Sequence, residues 1–269
     1  MKAQSVCVLA VLAILLGGCL LAAGCTQSSG SGAAVSQQNG TAVTKTYVIG
    51  VDGAYMPYSY IDKDGTFHGI DVDSARWIAK DKGFNVEFEA IEWDGMIPAL
   101  QAGKIDMVYS GMTITPERQE QVNFSTPYLN INQTIAIRND SALTVDDILA
   151  GKAIIGAQRG TTGAIWAEKN LVEAGKMPAD HLKEYDNFPL VITDLTNKNI
   201  DASIYDRPSH ISAIEGKPIH IVYEIDTGEQ YGIAIRKDNP KLLSLMNSGL
   251  ADLQADPYWQ ELLTEYKLA

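Results

Sequence analysis

Short apolar runs alternate with segments of helical periodicity along most of the chain. The short apolar run at 47–51 predicts a strand, and the alternating polar and apolar positions over 86–90 indicate a strand with one solvated face. Strand–helix alternation predicts an α/β fold with largely parallel sheets covered by helices. Strands are predicted at 47–51, 86–90, 105–109, 133–137, 153–156, 201–205, 219–223 and 232–235.

Capping residues predict where the helices begin and end. Asp71 or Asp73 is predicted to cap a helix that ends at Gly83, because a carboxylate accepts from free N–H groups and glycine adopts the left-handed region. Two similar joints between a helix and a strand, at 103–106 and 198–201, suggest two similar lobes. Further helices are predicted over 96–102, from Pro116, over 161–174, and twice at the end of the chain.

The N-terminus has the pattern of a secretory signal. Lys2 precedes an apolar run over 6–16, which is short for a membrane span. The string LAAGC at 21–25 resembles a lipobox, so residues 1–24 are predicted to be a signal peptide and Cys25 the lipidated residue. Cys19 is a second candidate for lipidation, and an uncleaved signal anchor is the alternative. Residues 25–45, rich in Ser, Gly, Gln and Thr, are predicted to be a flexible tether.

Composition excludes several function classes. The 269 residues carry 21 Lys and Arg against 33 Asp and Glu, a net charge of −12, which argues against a nucleic-acid partner. All three cysteines lie in the first 25 residues, so the rest of the chain has no disulfide, zinc-thiolate site or cysteine nucleophile. Common catalytic and phosphate-binding motifs are absent, and the four histidines lack metal-type spacing. We therefore expect no enzyme, no cofactor and no metal.

A set of polar and aromatic residues is suited to binding a zwitterion. In open α/β sheets ligands gather at the carboxyl ends of strands. Arg118 is suited to a carboxylate, and Thr161 and Thr162 begin a predicted helix whose free N–H groups also suit an anion. Asp206 ends an apolar strand and is suited to an ammonium group. The alternatives are an Arg118 that pairs with neighbouring glutamates, a simple N-cap at Thr161, and an Asp206 that caps the next helix or pairs with Arg207.

Two further sets of residues lie at such strand ends. Asp52, Tyr55 and Trp93 follow strands or lie in turns, where exposed aromatic rings can flank a ligand. Plain core packing is the alternative for these aromatic residues, and it is favoured for Tyr58. Residues 110–113 follow another predicted strand and supply Ser110, Gly111 and Thr113.

The order and spacing of seven strings resemble one family, the polar amino-acid-binding proteins of ABC importers (family 3 solute-binding proteins). The resemblance covers roughly residues 45–269. Gly111 departs from it, because many relatives carry serine there, and so does the string DPYW at 256–259. The matching strings are GVDGAYMPY at 50–58, GIDVD at 69–73, WDGMIPAL at 93–100, GMTITPER at 111–118, FSTPY at 124–128, QRGTTG at 158–163 and DASIYD at 201–206.

The resemblance implies two α/β lobes joined by two crossover strands, as in the type II periplasmic binding proteins. It implies a ligand whose α-carboxylate is held by Arg118 with the backbone at Thr162, and whose α-ammonium is held by Asp206. The other residues it implies are Ser110 and Thr113 as hydrogen-bonding groups, Tyr55 and Trp93 beside the ligand side chain, Asp52 near its far end, and Gln158, Gly111 and Thr161 in the same pocket. Lobe 1 is then expected at 46–131 and 229–269, and lobe 2 at 132–228.

The function implied is an extracytoplasmic receptor that captures a polar amino acid between closing lobes and delivers it to an ABC permease. We expect a lipid-anchored monomer at the outer face of the cytoplasmic membrane, in a periplasm or facing the medium. Asp52 with its aromatic neighbours favours a basic amino acid, arginine or lysine, with glutamine next. The alternatives are a sensor that signals to a membrane partner and a cyclohexadienyl dehydratase-like enzyme on the same fold.

Overall fold

The computed structural model of the protein describes residues 44–269. The predicted signal peptide, the candidate lipidation residues Cys19 and Cys25, and nearly all of the predicted tether lie outside these residues. Across 44–269, none of the helices has the length and apolar character needed to cross a membrane.

The strands agree closely with the apolar runs of the sequence. Each predicted strand is present, although several are longer or shorter than the run that predicts them. In chain order the strands are β1 (Thr46–Val51), β2 (Ala54–Tyr55), β3 (Ser59–Ile61), β4 (Phe67–His68), β5 (Asn85–Ala90), β6 (Met107–Val108), β7 (Asn123–Phe124), β8 (Leu129–Arg138), β9 (Ile155–Gln158), β10 (Leu182–Tyr185), β11 (Ala202–Asp206), β12 (Ile219–Tyr231) and β13 (Ala234–Ile235).

Helices occupy most of the intervals between strands. The predicted helix over 161–174 is α-helical only at its start and continues as a π-helical turn over Glu168–Val172. The α-helices are α1 (Ile70–Lys82), α2 (Met96–Gln101), α3 (Pro116–Gln121), α4 (Val145–Leu149), α5 (Thr162–Ala167), α6 (Phe188–Thr196), α7 (Arg207–Ile214), α8 (Pro240–Ala255) and α9 (Pro257–Glu265).

Two five-stranded sheets form the framework, and we refer to them as the first and second sheets. The first has the order β5-β1-β6-β13-β7 and the second the order β10-β9-β11-β8-β12. Strands β2, β3 and β4 form a small third sheet. Helices flank both large sheets, so the α/β class and the two-lobed architecture are confirmed.

Each large sheet is mostly parallel, as predicted, because four of its five strands run in one direction and one strand runs opposite to them. In the first sheet β1 is parallel to β5 and β6, whereas β13 is antiparallel to β6 and β7. In the second sheet β9 is parallel to β10 and β11, whereas β8 is antiparallel to β11 and β12. The antiparallel pairs arise where the chain passes between the sheets and returns, because a returning strand runs opposite to its neighbours.

Helix α1 begins at Ile70, before both of the predicted caps, Asp71 and Asp73. Its N-cap is Gly69, at a φ of 120°, and no side chain caps it. A Cβ at Gly69 would lie 2.1 Å from the carbonyl oxygen of Tyr58, so only glycine fits. Asp71 thus lies inside the helix, where its side chain is fully buried. The predicted end at Gly83 is confirmed, since Gly83 has the left-handed conformation.

The strand ends bring the polar candidates together. Asp52 follows β1, the segment 110–113 follows β6, and Gln158 and Asp206 are the last residues of β9 and β11. Each sheet is packed on apolar side chains, such as Ile49 of β1 in the first and Ile204 of β11 in the second, neither of which is exposed. The rigid strands therefore fix the positions of residues whose side chains extend beyond them.

Candidate functional site

A cavity of about 10 Å³ lies where strand ends of the two sheets face each other. That volume has room for about one water molecule, so a larger ligand enters only when the walls move apart. All of the lining residues except Tyr205 are predicted site residues. They are Tyr55, Trp93, Gly111, Thr113, Arg118, Thr161, Thr162, Tyr205 and Asp206.

A larger groove of about 550 Å³ lies beside it, between Met56 and the helices α6 and α7. Its lining is mainly apolar, and Lys217 is its one charged residue in the part of the chain that the structure describes. The small cavity instead brings both signs of charge within one enclosure. The small cavity is therefore the candidate functional site, in preference to the larger groove.

Arg118 is a buried cleft residue and not a surface residue. Its side chain donates from Nη1 to the carbonyl oxygen of Thr113 at 2.8 Å and from Nη2 to that of Gly160 at 3.0 Å. The guanidinium carbon lies 5.4 Å from the centroid of the Trp93 ring, a cation–π arrangement. Glu117, the neighbour that the alternative interpretation pairs with Arg118, contacts Lys169 at 3.2 Å instead.

Gly160 joins the two sides of the cleft. Its carbonyl oxygen accepts from Arg118 and also from Nε1 of Trp93, at 3.1 Å. Thr161 is the N-cap of α5: its Oγ accepts from the backbone N–H of Ala164 and donates to the carbonyl oxygen of Gln158 at 2.7 Å. The side chain of Thr161 therefore acts as a simple N-cap, which is the alternative interpretation, and the residue also lines the cavity.

Asp206 is the buried carboxyl group of the site. It occupies the N-cap position of α7, but its side chain makes no capping bond. It accepts instead from the hydroxyl of Tyr55 and from Nε2 of Gln133. Burial, followed by the charge of the neighbouring Glu229, raises the pKa of Asp206 to about 6, against the opposing effects of the two hydrogen bonds and Arg118. A positively charged partner would favour the ionised form of this carboxyl group.

A second group of polar residues lies behind the cavity. Asp52 accepts from Nε2 of Gln158 at 3.0 Å, and Oε1 of Gln158 accepts from the hydroxyl of Tyr205 at 2.8 Å. Ser110 accepts from the backbone N–H of Asp52 at 3.0 Å and contacts the hydroxyl of Ser59 at 2.8 Å. Burial raises the pKa of Asp52. Asp52, Ser110 and Gln158 therefore adjoin the cavity without lining it.

Comparison with known proteins agrees with this arrangement. The family described as bacterial extracellular solute-binding proteins, family 3, matches residues 47–269. The chain belongs to this family. It is 30% identical over 221 residues to the L-cystine-binding protein TcyJ of Escherichia coli strain K12, which covers 81% of this chain and 80% of TcyJ.

Two solved structures show the same fold at similar identity. An ancestral arginine-binding protein bound to arginine superposes with a TM-score of 0.75 at 34% identity, covering 82% of this chain and 97% of that one. An ancestral amino acid-binding protein that is a precursor of cyclohexadienyl dehydratase superposes with a TM-score of 0.73 at 34% identity, covering 82% and 94%. The fold of family 3 therefore extends over the body of the chain.

Gly111 is required by the shape of this particular site. Its φ is +54°, and a Cβ there would lie 2.5 Å from Cε1 of Tyr55 and 3.1 Å from the Tyr231 ring. Its N–H donates to Asp71 at 2.6 Å. The serine that the family resemblance implies for many relatives would collide with Tyr55, so the departure at Gly111 has a steric cause.

Four residues in or beside the site are missing from the sequence predictions: Gln133, Tyr205, Glu229 and Tyr231. Gln133 had a signal in the sequence, because it begins the run at 133–137 that is predicted as a strand, and glutamine is seldom buried. Tyr205 directly precedes Asp206, and it stacks on Phe188 with ring centroids 3.6 Å apart. Glu229 and Tyr231 end the long strand β12, and their places depend on where that strand passes the cavity.

Proposed function

We propose that the protein is an extracytoplasmic receptor that binds a polar amino acid in the small cavity and delivers it to an ABC importer. One observation carries the proposal: Arg118 and Asp206, buried groups of opposite charge, line the same cavity together with Tyr55 and Trp93. A zwitterion needs an anion site and a cation site close together, with walls for its side chain. Family membership supports the same function.

Each side chain then has a definite role. Arg118 holds the α-carboxylate, because a guanidinium offers paired donors that match a carboxylate. Asp206 holds the α-ammonium, which lessens the unfavourable burial of its own charge. Tyr55 and Trp93 flank the ligand side chain, and Asp52 with Gln158 lies near its far end.

Closure of two lobes around the ligand accounts for the capture. We assign lobe 1 to 46–131 and 229–269 and lobe 2 to 132–228. Contacts such as Arg118 to Gly160 and Asp52 to Gln158 then join one lobe to the other. A ligand that bridges the lobes stabilises the closed form by its greater affinity for that form. The permease would bind the closed shape.

Charge around the cavity favours a cationic ligand. Asp52, Asp206 and Glu229 bring carboxyl groups to the cleft and its surroundings, whereas Arg118 brings one guanidinium. A basic amino acid offsets this excess of negative charge better than a neutral one. We therefore propose arginine or lysine as the ligand, with glutamine next. That the structural relative is bound to arginine supports this choice.

Replacing Asp52 by alanine is expected to lower the preference for arginine over glutamine by roughly tenfold, the effect of losing one charge-assisted contact. Calorimetric titration of both amino acids into wild type and variant measures that preference. Asp94→Ala is the matched control, since Asp94 is an exposed aspartate whose carboxylate lies 3.6 Å from Arg159. An Asp52→Ala protein with the full wild-type preference would show that Asp52 does not contact the ligand side chain.

The N-terminal segment completes the proposal. A signal peptide over 1–24, a lipid on Cys25 and a tether over 25–45 would hold a monomeric receptor at the outer face of the cytoplasmic membrane. Tethering raises the effective concentration of the receptor near its permease. Mass spectrometry of the membrane-extracted protein would identify the modified residue and distinguish Cys25 from Cys19.

An enzyme on this scaffold is the second candidate, favoured by the similarity to the precursor of a dehydratase. Such an enzyme needs a general acid or base at the ligand. Asp206, whose pKa is raised to about 6 by burial, is the group suited to that role. Its carboxyl oxygens already accept from Tyr55 and Gln133, as expected of a binding group. We therefore place binding first, and a signalling receptor remains a variant of that function.

Thermal unfolding against all twenty amino acids tests the proposal, after denaturation and refolding to remove any carried ligand. A ligand at a thousandfold excess over its dissociation constant stabilises the folded state by about 4 kcal/mol. A higher midpoint with one or a few polar amino acids supports the receptor and identifies its ligand. The absence of a shift with every amino acid would contradict it, and cyclohexadienyl acids would then be tested as substrates.

A further inference from the structure

Glu229 lies just outside the cavity and contacts two residues that line it. Its Oε2 accepts from the hydroxyl of Thr162 at 2.7 Å and from that of Thr113 at 3.0 Å. Nε2 of Gln133 lies 3.3 Å from the same oxygen. The carboxylate of Glu229 is half-buried and belongs to the long strand β12. One carboxylate oxygen thus orients polar groups from both sides of the cleft.

These contacts determine what the hydroxyls can offer a ligand. A threonine hydroxyl has one hydrogen and two lone pairs. Because Thr113 and Thr162 donate that hydrogen to Glu229, only their lone pairs remain for another partner. Nε2 of Gln133 lies 3.2 Å from the Thr162 hydroxyl and already donates to it. The hydroxyls therefore act as acceptors toward the cavity.

The hydroxyl hydrogen of Tyr55 is likewise already donated to a protein acceptor. Its hydroxyl donates to Asp206, so the hydroxyl of Tyr231, 2.5 Å away, must be the donor in their mutual contact. The hydroxyl hydrogens around Asp206 are thus directed to carboxylates or to another hydroxyl. What remains for a ligand at this end of the cavity is a set of acceptors next to a carboxyl group.

We propose that Glu229 is a positioning residue that makes this end of the cavity selective for a protonated amine. By accepting the hydrogens of Thr113 and Thr162, it presents their lone pairs to a group that can only donate. The inference rests on the proposed function, in which Asp206 holds the α-ammonium of the ligand. The ligand class selected is a primary ammonium; a ligand without a donor at this position leaves the acceptors unpaired.

The test compares an amino acid with its analogue that lacks the α-amino group. For arginine the analogue is 5-guanidinopentanoic acid, which keeps the carboxylate and the guanidinium. The measured quantity is the dissociation constant of the analogue divided by that of arginine, obtained by calorimetry on the purified protein. In Glu229→Gln the negative charge is lost, and a neutral amide oxygen holds the hydrogens of Thr113 and Thr162 more weakly than a carboxylate oxygen does. The ratio is expected to fall about tenfold, through weaker binding of arginine.

A matched variant on the same strand controls for general effects. Glu224→Gln removes a glutamate that contacts Asn132 at 3.0 Å and Arg207 at 3.1 Å, outside the cavity lining. It is expected to leave the ratio unchanged. Glu229→Asp keeps the charge and should retain part of the selectivity. If Glu229→Gln weakens both ligands equally, or changes neither, the residue does not position the hydroxyls and the inference is wrong.

Thr113→Val examines the same contact from the other side and does not depend on how well Glu229→Gln folds. Valine has the shape of threonine without its lone pairs, so the ratio should again fall. In a protein that carries both Glu229→Gln and Thr113→Val, the two losses of selectivity should not add, because both substitutions disrupt the same contact. Additive effects would contradict the inference. Failure of the wild-type protein to bind any amino acid would instead refute the proposed function, before any variant is compared.

Discussion

Replacing Arg118 by alanine is expected to abolish amino-acid binding. Arg118 is only 7% exposed and is the one cation among the cavity-lining residues of the described chain. Burial lowers the pKa of Arg118, and the nearby Asp206 and Glu229 oppose that shift, so the group stays charged. Removing it leaves the α-carboxylate of a ligand buried without a partner, which costs about 3–5 kcal/mol. That corresponds to at least a hundredfold loss of affinity.

Calorimetric titration with the amino acid identified by thermal shift measures this loss. Arg118→Lys should bind with intermediate affinity, because an ammonium keeps the charge but lacks the paired donors of a guanidinium. The matched control is Arg159→Ala, since Arg159 is half-exposed near the same cleft and pairs with Asp186 at 2.7 Å. The folded state of each variant is checked by its unfolding midpoint. An Arg118→Ala protein that binds with micromolar affinity would reduce Arg118 to a packing role.

The charged centre of this site was accessible to sequence reasoning for a physical reason. Asp206 ends the apolar strand β11, and Arg118 lies in the short, mainly polar helix α3, so neither charge is expected to be part of an apolar core. A charge at such a position either faces solvent or belongs to a site. The family resemblance selected the second option, and the burial of both side chains agrees with it.

The place of Glu229 beside the cavity could not be predicted from the sequence. Along β12 exposed and half-buried residues alternate near Glu229, as on any sheet edge. Its contact with Thr113 joins residues 116 positions apart, and nothing local predicts it. The same holds for the start of α1, where the close approach of Gly69 to Tyr58 decides the cap. Local sequence patterns predict helices and strands, whereas these two contacts depend on how distant segments of the chain approach each other in the folded protein.

Short strands were missed for a different reason. The strands β2 and β4 contain two residues each and β3 contains three, so they have no measurable periodicity. Strand β10 carries Lys183 and Glu184, both exposed, at the edge of the second sheet. Edge strands often carry charged residues, which prevent pairing with other molecules. Such a strand lacks the apolar pattern of a buried strand, so its sequence is hard to distinguish from that of a loop.

Asp71 is expected to make the stability of the protein fall as the pH rises from about 4 to about 7. Burial raises the pKa of Asp71 to about 7, although the N–H of Gly111 and the hydroxyl of Tyr128 donate to it. Its other oxygen, Oδ1, has no partner in the described structure. Between the unfolded and folded pKa values the native state holds a proton that the unfolded chain has lost. Stability therefore decreases with pH in this window.

Asp71→Asn should remove that decrease. The amide oxygen of asparagine still accepts from Gly111 and Tyr128, and the side chain does not ionise. Above pH 7 the variant escapes the cost of a buried carboxylate, which amounts to roughly 4 kcal/mol at most for a shift of about three pKa units. Urea unfolding between pH 4.5 and 8.5 measures the effect as the difference between wild type and variant. This difference should grow with pH in favour of asparagine.

The stability of the variant must be compared with that of wild type at each pH, because His210 changes the stability of both proteins with pH in the direction opposite to Asp71. Burial lowers the pKa of His210 to about 3, so the unfolded chain binds a proton that the native state refuses, and stability rises with pH up to about 6.5. Both proteins share that term, and it cancels. Asp81→Asn, on the exposed face of α1, is the control for an aspartate-to-asparagine substitution outside the buried site. A constant difference between Asp71→Asn and wild type at every pH would mean that Asp71 ionises as readily in the folded as in the unfolded chain. The buried carboxyl group behind Gly111 would then already be stabilised as an anion, and its hydrogen bonds would outweigh its burial.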